Sequence, residues 1–301
     1  MDFYGRQLPV FKAALHNHCT VSDGLFEPND LIRMYADEKF DIFAFTDHRK
    51  TNPIANYNAC GMTLISGIEL HPKGPRETTW HLLALNVPRD FPGEFATAQE
   101  AVDAVNAAGG LIYCAHPEWC GITAADIAQI KGFAGLEVYN SSCRYNGKEN
   151  NESVWNELTD MNINYPALAV DDTHSKAELF GGWTMIAAED KSLESIMQAL
   201  KNGQFYATQG PEFTRLSFKD NVFEAEFTEV EEAILIGERN LGYWEVLPGY
   251  PEYGDYKLVT SIRKEARVRT LPDVRRFRCR IKDAKGRYAW TPVVNCELYR
   301  A

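Results

Sequence analysis

Seven short apolar runs, at residues 12–16, 41–46, 62–70, 79–86, 111–115, 135–139 and 165–170, recur through the first two thirds of the chain, and segments of helical period separate several of them. Runs this short, bounded by turn residues, read as strands, and strands covered on both faces show little internal alternation. A parallel strand pair needs a crossover of about a dozen residues or more, usually a helix. The alternation therefore predicts an α/β fold of βα units around a parallel sheet, and seven strands favour a barrel, closed or distorted. Helix limits are marked as well: Glu27-Pro28-Asn29-Asp30 leads into the periodic segment 31–36, segment 96–108 stops at Gly109-Gly110, and segment 193–201 stops at Asn202-Gly203.

After Gly210-Pro211 the texture changes to strict alternation of apolar and polar residues at 213–227, and again over 267–298 around the turn Asp283-Ala284-Lys285-Gly286. This predicts a first domain over 1–208 and a small β-rich C-terminal domain over 209–301. The acidic run 224–232 reads as a solvated strand edge and 247–255, rich in Pro, Gly and Tyr, as a loop. There is no internal repeat and no low-complexity tract.

Composition narrows the function classes. With 45% hydrophobic and 24% charged residues the chain can bury a full core, and no run approaches the roughly 20 apolar residues of a membrane span. The start Met1-Asp2-Phe3-Tyr4-Gly5-Arg6 lacks the layout of a signal peptide, so the expected compartment is the cytoplasm. A net charge of -11 argues against a general polyanion-binding surface, and nucleic acid is not an expected partner. The seven cysteines, Cys19, Cys60, Cys114, Cys120, Cys143, Cys279 and Cys296, form an odd set without a Cys-x-x-Cys pair and read as reduced, buried thiols rather than disulfides or a zinc ribbon.

All seven histidines, His16, His18, His48, His71, His81, His116 and His174, fall in the first domain, most of them near a strand's carboxyl end, where barrel enzymes carry their catalytic groups. In Ala14-Leu15-His16-Asn17-His18 the two imidazoles are two residues apart, so on an extended segment they share a face and can grip one ion. Asp172-Thr173-His174 repeats the spacing with a carboxylate and an imidazole, a mixed set suited to zinc, manganese or iron. Asp23, His48, Glu69, His81 and His116, each next to a strand end or turn, bring the candidate ligands to nine.

In order along the chain, His16-Asn17-His18, Ser22-Asp23-Gly24, Thr46-Asp47-His48, Gly67-Ile68-Glu69, His81, Ala115-His116-Pro117 and Asp172-Thr173-His174 resemble the motif series of the PHP superfamily, named for polymerase-associated and histidinol-phosphatase members. The resemblance covers about the first 200 residues and implies a distorted (β/α)7 barrel with a site for two or three divalent ions, of zinc, manganese or iron. It further implies that His16, His18, Glu69 and Asp172 hold one ion, that Glu69 bridges to a second held by His81 and His116, and that Asp23, His48 and His174 hold a third. Such ions lower the pKa of a bridging water, which becomes the nucleophile without help from a Ser or Cys. Asp47 would orient His48 from outside the ligand set. His71 lies outside the family's pattern and, two residues from Glu69, would serve with Asp172 and His174 as a proton-transfer group.

Three cations, Arg49, Arg144 and Lys176, follow ligand motifs or strand ends and would clamp an anionic substrate, with Lys50 a weaker choice. Tyr139 and Asn140 would line the pocket, and Trp119 reads as a buried aromatic or a stacking surface. Cys19 and Cys143 are set aside as nucleophiles because no histidine is left to serve them.

The expected activity is hydrolysis of a small phosphorylated substrate. Nucleotides fit less well, because only 34 residues separate His81 from His116, too few for the inserted subdomain of nucleotide-hydrolysing relatives. The segments 193–196, 203–211 and 286–291 resemble instead the branch of the superfamily that includes carbamate and aryl-ester hydrolases (CehA/McbA-like), in which the same centre attacks a carbonyl carbon. A non-catalytic module stapled by metal would be expected to have lost ligands, and none of the nine is missing.

Overall fold

The computed structural model describes residues 1–239, 243–246, 263–270 and 274–299, so the expected loop at 247–255 lies outside the described residues except through its neighbours. In chain order the elements are β1 (Asp2–Phe3), β2 (Arg6–Gln7), β3 (Val10–Ala14), α1 (Pro28–Asp37), β4 (Ile42–Phe45), β5 (Thr63–Leu70), β6 (Leu82–Leu85), α2 (Ala98–Ala107), β7 (Leu111–Cys114), α3 (Pro117–Cys120), α4 (Ala124–Gln129), β8 (Gly135–Asn140), α5 (Glu152–Asp160), β9 (Ala167–Val170), β10 (Trp183–Ala187), α6 (Leu193–Lys201) and β11 (Phe205–Thr208). They are followed by β12 (Phe213–Lys219), β13 (Val222–Val230), β14 (Glu232–Gly237), β15 (Tyr243–Val246), β16 (Arg263–Thr270), β17 (Arg276–Lys282), β18 (Tyr288–Trp290) and β19 (Val294–Asn295).

Each of the seven apolar runs contains a strand, and β4, β6, β8 and β9 are buried at every residue, as strands covered on both faces must be. The fold is mixed α/β, but the regular alternation of strand and helix is not kept. β3, β4 and β5 are parallel, β6 runs antiparallel to both β5 and β7, and β7, β8 and β9 are parallel again. The physical reason is connection length: residues 71–81 are too few for a crossover, so the chain returns as an antiparallel strand. Helices likewise do not follow every strand, since none of the α-helices lies between β4 and β6.

Two strands that sequence reading passed over complete the sheet. β10 is antiparallel to β3 on one side and to β11 on the other, and the Thr184 hydroxyl donates to the Ala169 carbonyl on β9 at 3.0 Å. This contact brings the far end of the sheet beside β10.

The division at residue 208 does not follow the packing. β1 pairs with β12 in a six-stranded sheet ordered β15-β16-β13-β12-β1-β2, so the chain start belongs to the C-terminal strands. The larger sheet in turn continues from β11 onto β18, β17 and β14. A buried ion network ties the halves: Glu152 on α5 accepts from Arg278 (3.3 Å) and Arg280 (3.0 Å), and the Arg278 guanidinium lies 4.2 Å over the Trp155 ring. Over 224–230 the acidic run is not a sheet edge, because β13 lies between β12 and β16 with Phe223, Ala225 and Phe227 buried and the intervening glutamates on the opposite face; Glu232 begins an edge strand, β14. Among the described residues, no helix is long and apolar enough to cross a membrane.

Candidate metal centre

Strand polarity gathers the site. His16 and His18 follow β3, His48 follows β4, Glu69 lies at the end of β5, His116 follows β7, and Asp172 and His174 follow β9. These are carboxyl ends. His81 immediately precedes β6, but β6 is reversed, so its amino end reaches the same rim. The register Leu70↔Leu82 carries His71 and His81 one step past the ladder, where their rings stack with centroids 4.1 Å apart. Two of these residues have left-handed backbone, His116 at φ 23° and Asp172 at φ 54°. Such conformations cost a non-glycine residue about 1–3 kcal/mol and persist where the surroundings fix them. Here Asp172 N–H donates to His16 O (3.0 Å) and His116 N–H to the Glu137 carboxylate (2.9 Å).

The donor atoms meet at the spacing of a shared ion. His16 Nε2 lies 3.1 Å from His18 Nε2, Asp172 Oδ1 lies 3.2 and 3.0 Å from these two nitrogens, and Glu69 Oε2 lies 3.6 and 3.5 Å from them. Nitrogen and oxygen donors about 2.0–2.1 Å from one ion are separated by roughly 2.9–3.4 Å for octahedral to tetrahedral angles. Glu69 Oε1 faces His81 Nδ1 (2.8 Å) and His116 Nε2 (3.3 Å), so the two oxygens of one carboxylate serve two groups of imidazoles. Asp23, more exposed, reaches His48 Nε2 at 3.3 Å, His174 Nε2 at 3.6 Å and His18 Nδ1 at 3.9 Å.

Two further observations fit a cation. Glu69 Oε2 and Asp172 Oδ1 are buried and accept no hydrogen bond of good geometry; they face only imidazole nitrogens, His48 Nδ1 at 2.6 Å and His18 Nε2 at 3.0 Å, an arrangement that favours positive charge between them. The field tells the same story. Burial alone would raise the Glu69 carboxyl, yet the charges of His81 and His16 hold it well below the usual range; Asp172 is likewise held down against burial, by His16 and His18. Conversely, burial would lower His16 and His48, and the surrounding carboxylates raise both, His48 to about 10. At His18 and His81 burial wins instead and lowers both, so the charged imidazoles are not spread evenly over the cluster.

The remaining residues named from sequence divide. His71 is in the site, its Nε2 2.9 Å from His48 Nδ1 and 3.5 Å from Glu69 Oε2. Asp47 does not reach the His48 ring; its carboxylate accepts from the Cys19 and Ser22 N–H groups, from Asn52 and from the Ser22 hydroxyl, and so shapes the turn that carries Asp23. Arg144 is tied to Ser141, Tyr145 and the Ala177 carbonyl, bracing the loop after His174 rather than projecting freely. Arg49, Lys50 and Lys176 are exposed beside the rim. Trp119 is not buried: it is 42% exposed and stands edge-on to His81 (5.2 Å) and His116 (5.3 Å). Tyr139 packs under the rim against Trp290, and the Asn140 amide donates to Asp172 Oδ2 (3.1 Å). Burial keeps the Cys19 and Cys143 thiols protonated.

Sequence reading missed Glu137, Cys120 and Asp171. Glu137 is fully buried and accepts from His16 Nδ1 (2.7 Å), the His116 N–H (2.9 Å) and Asn140 Nδ2 (3.0 Å). With Nδ1–H held by this carboxylate, His16 turns the lone pair of Nε2 inward. Its signal was a single acid in the apolar run Gly135-Leu136-Glu137-Val138-Tyr139. Asp171 accepts from the Tyr35 hydroxyl (2.6 Å) and from the N–H groups of Phe180, Gly181 and Gly182, anchoring the segment before Asp172.

Fold and site together define a mixed α/β chain with a His/Asp/Glu cluster at one rim of its sheet. No family model matches the chain, and no curated protein matches it. Among solved structures it is similar to a two-domain protein containing a predicted PHP-like metal-dependent phosphoesterase from Bacteroides vulgatus, at 16% identity and a TM-score of 0.55 over 98% of each chain. It is also similar to an amidohydrolase from Chromobacterium violaceum solved with bound sulfate, at 18% identity and a TM-score of 0.47 over 55% of this chain and 88% of that one. A lesion-specific endonuclease from Pyrococcus furiosus matches at 18% identity and a TM-score of 0.44, over 64% of this chain and 56% of that one. The first match shows a shared fold that spans both parts of the chain.

Proposed function

We propose that the chain is a metal-dependent hydrolase of the PHP type, with the strand ends forming the mouth of a distorted barrel, and that it cleaves a small anionic phosphate ester. The observation that carries this reading is the convergence of His16, His18, Glu69 and Asp172 donor atoms, with the two imidazoles 3.0–3.6 Å from each other and from buried carboxylate oxygens that face only imidazoles. His16, His18, Glu69 and Asp172 would hold one ion, Glu69 with His81 and His116 a second, and Asp23, His48 and His174 a third. Zinc, manganese or iron suits this mixture of imidazole and carboxylate. When bound, the ions supply an acidified water and Lewis acidity toward substrate oxygens.

The chain's own residues do the rest. Glu137 fixes the ring of His16, Asn140 holds Asp172 by its Oδ2, and the Glu137–His116 contact fixes the strained turn from which His116 reaches in. His71, beside His48 at the rim, would pass a proton to a leaving group. Charge favours a dianion: about +6 from three divalent ions against Asp23, Glu69, Asp172 and Glu137 leaves roughly +2. Arg49 and Lys176, exposed at the rim, add steering for an anion.

A specific observation favours a second substrate class for the same centre. Trp119 presents a half-exposed indole edge-on beside His81 and His116, a surface suited to the aryl group of an ester or carbamate.

The test begins with elemental analysis, then stripping and refilling with manganese or zinc, and assays on p-nitrophenyl phosphate, bis(p-nitrophenyl) phosphate, a p-nitrophenyl ester and an aryl carbamate. Turnover of the phosphates supports the first reading and of the last two the second; no turnover on any substrate points to a non-catalytic module. His16→Ala and Asp172→Ala are expected to abolish turnover while circular dichroism stays that of a folded chain. Undiminished rates in either variant would remove the ligand assignment.

A further inference from the structure

His116 offers a different atom to each side of its ring. Nε2 faces the cluster, 3.3 Å from Glu69 Oε1 and 3.7 Å from Asp172 Oδ2, while Nδ1 lies 3.5 Å from Cys120 Sγ. Cys120 follows His116 by four residues across the single turn of α3, and its N–H donates to His116 O (3.3 Å). Residues i and i+4 on such a turn share a face, the arrangement by which short helical motifs grip a metal. One ligand atom each from His81, His116 and Cys120 falls within 4.8 Å of the others.

The separation suits a thiol–imidazole hydrogen bond in the metal-free site and a shared ion in the filled one. A thiolate sulfur at about 2.3 Å and an imidazole nitrogen at about 2.0–2.1 Å from one tetrahedral ion are about 3.5 Å apart, the distance between Cys120 Sγ and His116 Nδ1. Cys120 is also partly accessible, unlike Cys114 and Cys143, which are buried. Trp119 flanks both imidazoles and limits water on that side.

We infer that His81, His116 and Cys120 form a thiol-containing site for a thiophilic divalent cation, zinc or cadmium, at the outer end of the cluster. Binding forms a sulfur–metal bond and releases the thiol proton to solvent. The inference rests on the metal-centre reading only in sharing His81 and His116. A neutral imidazole has one lone pair, so an ion on Nδ1 of His116 competes with an ion on Nε2. Excess zinc is therefore expected to inhibit the hydrolase, and Cys120→Ser to relieve that inhibition.

The test uses the metal-stripped full chain carrying Cys60→Ser, which removes the exposed thiol and leaves His116 free of a competing ion on Nε2. Cadmium is titrated in while the ultraviolet thiolate-to-cadmium charge-transfer band is followed. A saturable band is expected, lost on adding Cys120→Ser and with the apparent affinity at least tenfold weaker on adding His81→Ala. No band in the Cys60→Ser protein, or an equal band after Cys120→Ser, overturns the site. The readout is absorption and not turnover, so an inactive chain that shows the band defeats only the hydrolase reading, and an active chain without it defeats only the thiol site.

Discussion

Replacing Glu137 by glutamine isolates what one buried carboxylate does for the centre. The side chain accepts three hydrogen bonds, from His16 Nδ1 at 2.7 Å, the His116 N–H at 2.9 Å and Asn140 Nδ2 at 3.0 Å. Glutamine keeps the volume but has one oxygen, so its amide N–H must oppose a donor on one side. If it faces His16, that ring must present Nδ1 as the acceptor and turn an N–H toward Asp172 and His18, which cancels it as a ligand. If it faces the other way, the His116 N–H and Asn140 lose their acceptor, at about 1–3 kcal/mol for each group left unpaired. Losing a partner that orients a metal-binding imidazole typically weakens metal affinity 10–100-fold. That range is the expected increase in the dissociation constant when stripped wild-type and Glu137→Gln proteins are titrated calorimetrically with zinc or manganese. The reasoning also requires the loss to fall on the ion held by His16, leaving fewer tightly bound equivalents by elemental analysis. Affinities within twofold and equal stoichiometry would show that His16 is oriented without Glu137, and the account of the site's interior would be wrong.

Trp119→Ala is expected to leave metal content unchanged and to lower kcat/KM for p-nitrophenyl substrates by about tenfold, the equivalent of an aromatic contact worth roughly 1–1.5 kcal/mol; an equal loss on alkyl substrates would show that the indole does not contact an aryl group. In the metal-stripped protein His48 is raised to about 10 from the usual 6.5, by Asp23 and Glu69 acting against burial. Its stabilising proton is thus fully present below about 6.5 and lost as pH rises through 10, so the stripped protein should melt at falling temperature across that window, and a flat profile by thermal scanning would contradict the assigned contacts. Arg278→Met removes a fully buried partner of Glu152 and the cation over Trp155 while Arg280 still neutralises Glu152. A loss of about 1.5–3 kcal/mol in denaturant unfolding is expected from the hydrogen bonds that Glu152 and Asn156 lose, with metal binding unaltered.

What the sequence disclosed, and what it hid, follows from how local each signal is. The strands at β4, β6 and β9 were legible because complete burial leaves an apolar run that needs no partner to be recognised. The clustered side chains were legible because His16 and His18, and Asp172 and His174, carry their spacing within three residues. Glu137 was not, since its partners His16 and His116 lie 121 and 21 positions away and nothing beside it in the chain hints at either. The pairing of β1 with β12 was invisible for the same reason, and a boundary at residue 208 consequently cut through a sheet. The reversal of β6 was different: the short 71–81 connection announced it, and only the assumption of a uniform βα repeat concealed it. That reversal matters for function. A parallel β6 would put His81 at the opposite end of the sheet, away from Glu69; running antiparallel, it sets His81 Nδ1 2.8 Å from Glu69 Oε1 and lets one carboxylate join two groups of imidazoles. The departure from the regular repeat is therefore what brings His81 to the carboxylate of Glu69.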